Sequence, residues 1–163
     1  LTLRHWTRHA MHSLYDDPET RKQLKPEAVW EIEGSMGVSA RQIYDAGTAR
    51  ADWFRTIRRL FDEFDLLLLP TAQVFPFPKD LPWPKSVNGR PMDTYHRWME
   101  VVIGGSLAGV PIVNVPAGFD GRGRPMGIQV MGPFGDDQRV LEFALAYETI
   151  TGHLNRRPRL MAA

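Results

Sequence analysis

Apolar residues recur at mostly three- and four-residue steps from Ile43 through Ala46, Trp53, Ile57, Leu60 and Phe61 to Phe64. With Arg50, Arg55, Arg58 and Arg59 mainly on the other side, this stripe predicts a long amphipathic helix. Ser39 stands ahead of it as an N-cap, whose hydroxyl accepts an otherwise orphaned backbone N–H. At Asp65 the period changes. The leucines Leu66 to Leu69, between Asp65 and Pro70, suit a strand buried on both faces of an α/β sheet. A second apolar run, Ile112 to Val115, lies between Pro111 and Pro116. Proline removes a ladder donor, so these two residues predict the start and the exit of a core strand. Turn chemistry at Asp120, Gly121, Gly123 and Pro125 then separates this run from another strand-like run, which predicts a β-hairpin.

Weaker patterns fill in the rest. Residues 1–15 read as a helix interrupted by Asp16, Asp17 and Pro18. Pro26 opens a second short helix, broken by Gly34 and Gly37. Residues 72–94 carry prolines at 76, 78, 82, 84 and 91, which predict a long extended loop with a binding or lid role. A helix is expected from Thr94 to Ile103, ended by Gly104 and Gly105. Asp136 or Asp137 caps a last helix with Val140, Leu141, Ala144, Leu145 and Ile150 as its apolar stripe. Gly152 ends it where a left-handed residue is favoured. The expected organisation is one continuous segment, residues 1–163. It comprises a helical lead-in over 1–37, the long helix over 38–64, and a sheet with helices over 65–163.

Composition narrows the functional classes. A chain of 163 residues suits one domain with a real core. A net charge of +1 gives no steering toward nucleic acid or acidic membranes, so no direct nucleic-acid partner is expected. The absence of cysteine excludes a disulfide scaffold, a thiol nucleophile and a thiolate metal site. No apolar run approaches the roughly 20 residues of a membrane-spanning helix. No signal-peptide pattern is present, and the expected location is cytoplasmic. The chain opens on Leu1 and not on methionine, so the expectation is a processed chain or part of a longer one.

Candidate chemistry is sparse. His5, His9 and His12 fall at helical spacing that suits a metal, but no carboxylate pattern accompanies them, and a solvated terminal face is the preferred reading. The arginines of RTIRRL share their helix with Asp52, Asp62 and Glu63 and read as an exposed charged face. No serine lies in a Gly-x-Ser-x-Gly elbow. Ser106, beside Gly104 and Gly105, is the most interesting of them, and a hydroxyl satisfied by backbone is its preferred reading. No complete nucleophile–base constellation is visible.

FDLLLLPT (64–71), SLAGVPIVNVPAG (106–118) and GRPMGIQVMGPFGDDQRVLEFALAYE (123–148), in that order, resemble the carboxyl-terminal part of amidase-signature enzymes. The resemblance implies an α/β fold with a mixed β-sheet wrapped by helices. It also implies cleavage of amide C–N bonds by a serine nucleophile, a second serine in a cis peptide, and a lysine. Those three belong upstream, to a lysine and to a Gly/Ser-rich signature that this chain lacks, so no catalytic residue is assigned. Relatives often carry asparagine where this chain has Ser106. No metal or organic cofactor is implied. The expected partners are a small-molecule amide substrate and a missing N-terminal part of the enzyme, with homo-oligomerisation also compatible. This segment would supply half of the sheet and one wall of the acyl pocket, from the Pro-rich loop and the following helix. Tyr95, Trp98, Met99 and Glu100 are the substrate-binding candidates, with ordinary helix packing as the alternative for Trp98 and Met99. The other functional reading is a non-catalytic amidase-like scaffold, or a component of a tRNA-dependent amidotransferase assembly.

Overall fold

The computed structural model describes residues 1–156, the side chain of Leu154 excepted. The chain divides into two units, Leu1–Trp53 and Phe54–Ala163.

The first unit is helical. A broken helix runs as α1 (Thr2–Arg8), a short 3₁₀ turn (His9–Met11) and α2 (His12–Asp16). Asp17 caps α3 (Pro18–Arg21) by accepting the Glu19 N–H at 3.0 Å, with Pro18 at the first helical position. α4 (Pro26–Met36) likewise opens on proline. Gly34 does not break it: His5 lies against Gly34, and a Cβ there would strike the imidazole. The glycine is there for close helix approach. Ile32 is fully buried, and beside it the buried carboxylate of Glu31 receives Arg4 Nε at 2.9 Å and Arg8 Nε at 2.6 Å. Arg4 and Arg8 are one helical turn apart on α1, so one carboxylate pins that face onto α4.

α5 (Ala40–Leu60) is the predicted long helix. Ser39 forms a capping box with Gln42: Ser39 N–H donates to Oε1 at 2.9 Å, and Gln42 N–H donates to the Ser39 hydroxyl at 3.3 Å.

The second unit is built on a three-stranded sheet in the order β1 (Leu67–Pro70), β5 (Pro125–Met131), β4 (Ile112–Phe119). Both outer strands run antiparallel to β5. The sheet in this chain is therefore antiparallel throughout; the mixed sheet expected from the resemblance is not present among the described residues. Side chains line up in rows across it: Leu67, Met131 and Ile112, then Leu68, Val130 and Val113, then Leu69, Gln129 and Asn114. Alternate rows face opposite sides. On one side Ile57 of α5, Ala108 and Val110 close over Met131, with Phe61, Leu67 and Ile112 packed around them. On the other, Ala144 of α7 (Asp137–Thr151) covers Val115 and Val130, flanked by Phe143 and Tyr147. Gly152 ends α7 at φ 61°, the left-handed stop that its position predicts.

Three further sequence expectations change. Leu68 and Leu69 are half exposed, because β1 is an edge strand and not a strand buried on both faces. Pro116 lies inside β4, not at its exit. It is tolerated because Gly127, opposite it, turns its carbonyl toward Thr71 on the β1 side, so the Pro116 nitrogen faces the open edge. The third concerns α6 (Glu100–Ala108), which follows a 3₁₀ turn (Arg97–Met99) and runs straight through Gly104 and Gly105. It stops at Gly109, φ 69°. Gly105 is a packing residue, since a Cβ there would lie 2.8 Å from Met131 Sδ. No described helix is long and apolar enough to cross a membrane.

Inside the Pro-rich segment a small hairpin appears, β2 (Ser86–Val87) with β3 (Arg90–Pro91). Its turn residues Asn88 and Gly89 both have positive φ, 48° and 76°. The Asn-Gly pair is the signal for this turn.

Candidate functional site

Where β1 leaves the sheet, the Thr71 N–H still donates to Gly127 O at 3.0 Å, and the chain then lifts away as an arm over residues 72–77. Gly127 has to be small: a Cβ would meet Thr71 Oγ1 at 2.9 Å and Val115 O at 3.1 Å. Two amides, buried Gln129 and half-buried Gln73, tie the end of β1 and the arm to α6. Gln129, 2% exposed on the central strand, donates from Nε2 to Pro70 O and to Val101 O, each at 2.9 Å. Gln73 Oε1 accepts the Val101 N–H at 3.1 Å. One residue of the first turn of α6 is thus held through both its backbone groups.

The hairpin loop between β4 and β5 anchors the arm from the other side. Arg124 donates to Pro76 O at 3.3 Å and its guanidinium lies 5.2 Å from the Phe75 ring. Asp120 holds Arg124 in turn, accepting its Nε at 2.8 Å and the backbone N–H groups of Arg122 and Arg124 at 2.9 and 2.8 Å. The Arg124 backbone donor is the largest influence holding the Asp120 carboxyl below its usual value; desolvation opposes it, and the Arg124 guanidinium and the Arg122 N–H add to the lowering.

Between these anchors lies an open groove of about 620 Å³. Val74, Phe75, Phe77 and Trp98 line it together with Thr71 and Ala72 of the arm. From the hairpin, Asn114, Val115, Pro116, Met126 and Gly127 contribute.

The four sequence-nominated residues divide. Trp98 lines the groove, set edge-on to Phe77 at 5.7 Å between ring centroids. Its indole Nε1 is buried and has no acceptor among the described residues. Tyr95 is not in the lining; it packs edge-on against Trp98 at 5.9 Å and Trp83 at 6.4 Å, so it braces the tryptophan. Met99 closes the 3₁₀ turn, half buried and outside the lining. Glu100 is turned to arginines, accepting Arg97 Nη1 at 2.6 Å with Arg90 Nη1 at 3.8 Å. Arg97 also grips Asp93 through Nε at 3.0 Å and Nη2 at 3.2 Å. That hydrogen-bonded pair lowers the Asp93 carboxyl and raises the guanidinium. The two amides, Gln73 and Gln129, and the Asp120–Arg124 latch were not nominated from sequence. Gln129 did carry a signal: a lone polar residue between Ile128 and Val130 in a buried strand requires partners.

Ser106, on α6, donates to Val102 O at 3.4 Å, a backbone-satisfied hydroxyl. Of the histidine triplet, His9 is exposed, as a solvated face predicts, while His5 and His12 are half-buried. His5 packs on Trp30 and bonds Glu31 O at 3.0 Å, His9 stacks on Trp6, and His12 is tilted against His9 and edge-on to Tyr15. No group of three or more metal-binding side chains occurs among the described residues.

Comparison with known proteins gives a consistent picture. Residues 7–141 match the Amidase family model. A glutamyl-tRNA(Gln) amidotransferase subunit from Thermus thermophilus is 37% identical over 122 residues, covering 72% of this chain and 24% of that protein. Its counterpart from Synechococcus is 35% identical over 130 residues, covering 77% of this chain and 25% of that protein. The chain therefore spans about a quarter of the length of these relatives. Among solved structures, a bacterial aryl acylamidase of the amidase signature family superposes with a TM-score of 0.76 at 27% identity, over 89% of this chain and 31% of that one. 6-Aminohexanoate cyclic dimer hydrolase superposes with a TM-score of 0.75 at 19% identity, over 98% of this chain and 35% of that one, which speaks for the fold alone. Because the Amidase family model matches most of this chain, the chain belongs to the amidase family.

Proposed function

We propose that this chain works as the C-terminal portion of a longer amidase, supplying scaffold and one wall of the substrate pocket. The catalytic serine pair and lysine then reside in upstream sequence. There the nucleophilic serine attacks the amide carbonyl, ammonia or an amine departs with a proton, and water hydrolyses the acyl-enzyme. The observation that carries this reading is the match to about a quarter of each curated relative and about a third of the aryl acylamidase. The apolar surface on the isolated chain supports it: Leu141, Leu145 and Ile150 on α7 are 63%, 68% and 84% exposed, and β1 has one edge without a strand partner among the described residues. The Pro-rich arm and Trp98, meeting on one groove, form the substrate-facing wall.

The test is release of ammonia or amine from a panel of aliphatic and aryl amides. The 163-residue chain alone is expected to be inert, and activity is expected when a Gly/Ser-rich upstream portion is supplied. Turnover by the chain alone that disappears in Ser106→Ala overturns the reading. A second reading, a non-catalytic scaffold or component within a tRNA-dependent amidotransferase assembly, draws on the names of the curated relatives. It predicts stable association with a partner and no activity even when the upstream portion is present.

A further inference from the structure

We infer that the groove beside Trp98 takes an uncharged aromatic amide and rejects a zwitterionic one, an inference that rests on the groove being the substrate-facing wall proposed above. The case is made by the lining. Val74, Phe75, Phe77, Met126 and Trp98 give it an apolar and aromatic character, and Thr71 and Asn114 are its uncharged polar members. No carboxylate, ammonium or guanidinium belongs to the lining among the described residues. A volume of about 620 Å³ is within the range of small-molecule sites.

The charges nearest in the fold are already committed. Arg124, beside Phe75, is held by Asp120 at 2.8 Å. Arg97, next to Trp98 in the chain, is held by Asp93 and Glu100 at 3.0 and 2.6 Å. A ligand carrying both an ammonium and a carboxylate would surrender their hydration and meet no counter-charge here. An aromatic ring instead finds Phe75, Phe77 and Trp98, whose edge-on packing extends the Tyr95–Trp83 ladder. Selectivity then follows from the mismatch of charge, which apolar contacts alone do not provide.

The experiment uses the full 163-residue chain and follows its indole N–H resonances by ¹H–¹⁵N NMR, with the Trp98 signal assigned by its loss in Trp98→Phe. Acetanilide is the neutral aromatic probe and L-glutamine the zwitterionic one. Acetanilide is expected to move the Trp98 resonance saturably, with a Kd on the order of 1 mM as befits a small ligand. L-Glutamine at tenfold higher concentration should neither move it nor compete. Val74→Asp, which places a carboxylate in the lining, should weaken acetanilide at least tenfold with the other indole signals unchanged. Saturable L-glutamine binding equal to or tighter than acetanilide overturns the inference and leaves the groove as the substrate wall. No response to either probe overturns the groove as a site, and release of ammonia or amine from amides with the upstream portion present still judges the amidase reading separately.

Discussion

The two units of this chain are each stabilised by different physics. In Leu1–Trp53 one buried carboxylate, Glu31, gathers Arg4 and Arg8, with stacked and tilted rings along Trp6, His9, His12 and Tyr15. Among the described residues, Ile32 is the single large apolar side chain fully buried there. From Phe54 onward, two apolar clusters cover opposite faces of a sheet, and the amide of Gln129 is the polar group buried on its central strand. The lesson is one of replaceability. An apolar cluster tolerates a trimmed methyl but not a charge, whereas an ionic clamp survives on paired charges and fails when one side is removed.

The largest effect should come from forcing a charge into the second unit. Val130 is fully buried between Val115 and Ala144, so Val130→Asp buries a carboxylate with no counter-ion. We expect a loss of about 4 kcal/mol or more. Hydrogen exchange should show loss of protection across β4 and β5, with the amides of α4 unaffected; protection that persists in β5 would break the comparison.

Next in size is the removal of both arginines from the first unit. Arg4→Ala with Arg8→Ala removes both arginines from the Glu31 side chain, which is 5% exposed, and should cost about 3 kcal/mol. The effect belongs at the lower end of that class because the arginines are themselves 37% and 38% exposed. Exchange protection of α4 reports it, and β5 should be indifferent.

Gln129→Leu keeps the volume and removes the donor shared by the Pro70 and Val101 carbonyls. An expected cost of about 1–3 kcal/mol follows from losing the two hydrogen bonds that this buried amide donates. The same variant should loosen the arm over residues 72–77, seen as a shift of the Trp98 indole resonance. A wild-type Trp98 signal would show that the two amides do not shape the groove.

The smallest effect concerns the hairpin latch. The Asp120 carboxyl sits below its usual value of 3.8, so its contribution is complete above that pH and disappears as pH falls through the lowered folded value. Acidification in that window should detach Arg124 from Pro76, and Asp120→Asn should abolish the pH dependence while barely moving the melting temperature. Carbon-13 detection of the Asp120 carboxyl gives the titration directly, and a midpoint above 3.8 would contradict the latch.

Local signals read from sequence alone carried well where one element explains itself. The long helix that the stripe from Ile43 predicts (ending at Leu60, short of Phe64), the Ser39 cap, the proline at the start of α4, the hairpin across Asp120–Gly123 and the stop at Gly152 all rest on period, capping and turn chemistry, and all are present. The ordered segments that resemble amidases also pointed to the family that the comparisons establish.

What the sequence left undecided depends on neighbours. Whether Leu68 and Leu69 are buried depends on whether another strand or helix covers β1, and no local pattern contains that. Gly104 and Gly105 read as breakers, yet α6 continues because Gly105 must pass close to Met131, a contact made across many residues of chain. Pro116 sits within a strand only because β4 is an edge. Likewise the nominated helix face divided, with Trp98 on the groove, Tyr95 bracing it and Glu100 drawn away by Arg97, according to partners that only packing supplies. Period, caps and turns are encoded within a few residues, so the chain alone determined them. Burial, strand edges and the partners of polar groups arise from contacts between distant segments, so only the tertiary structure decided them.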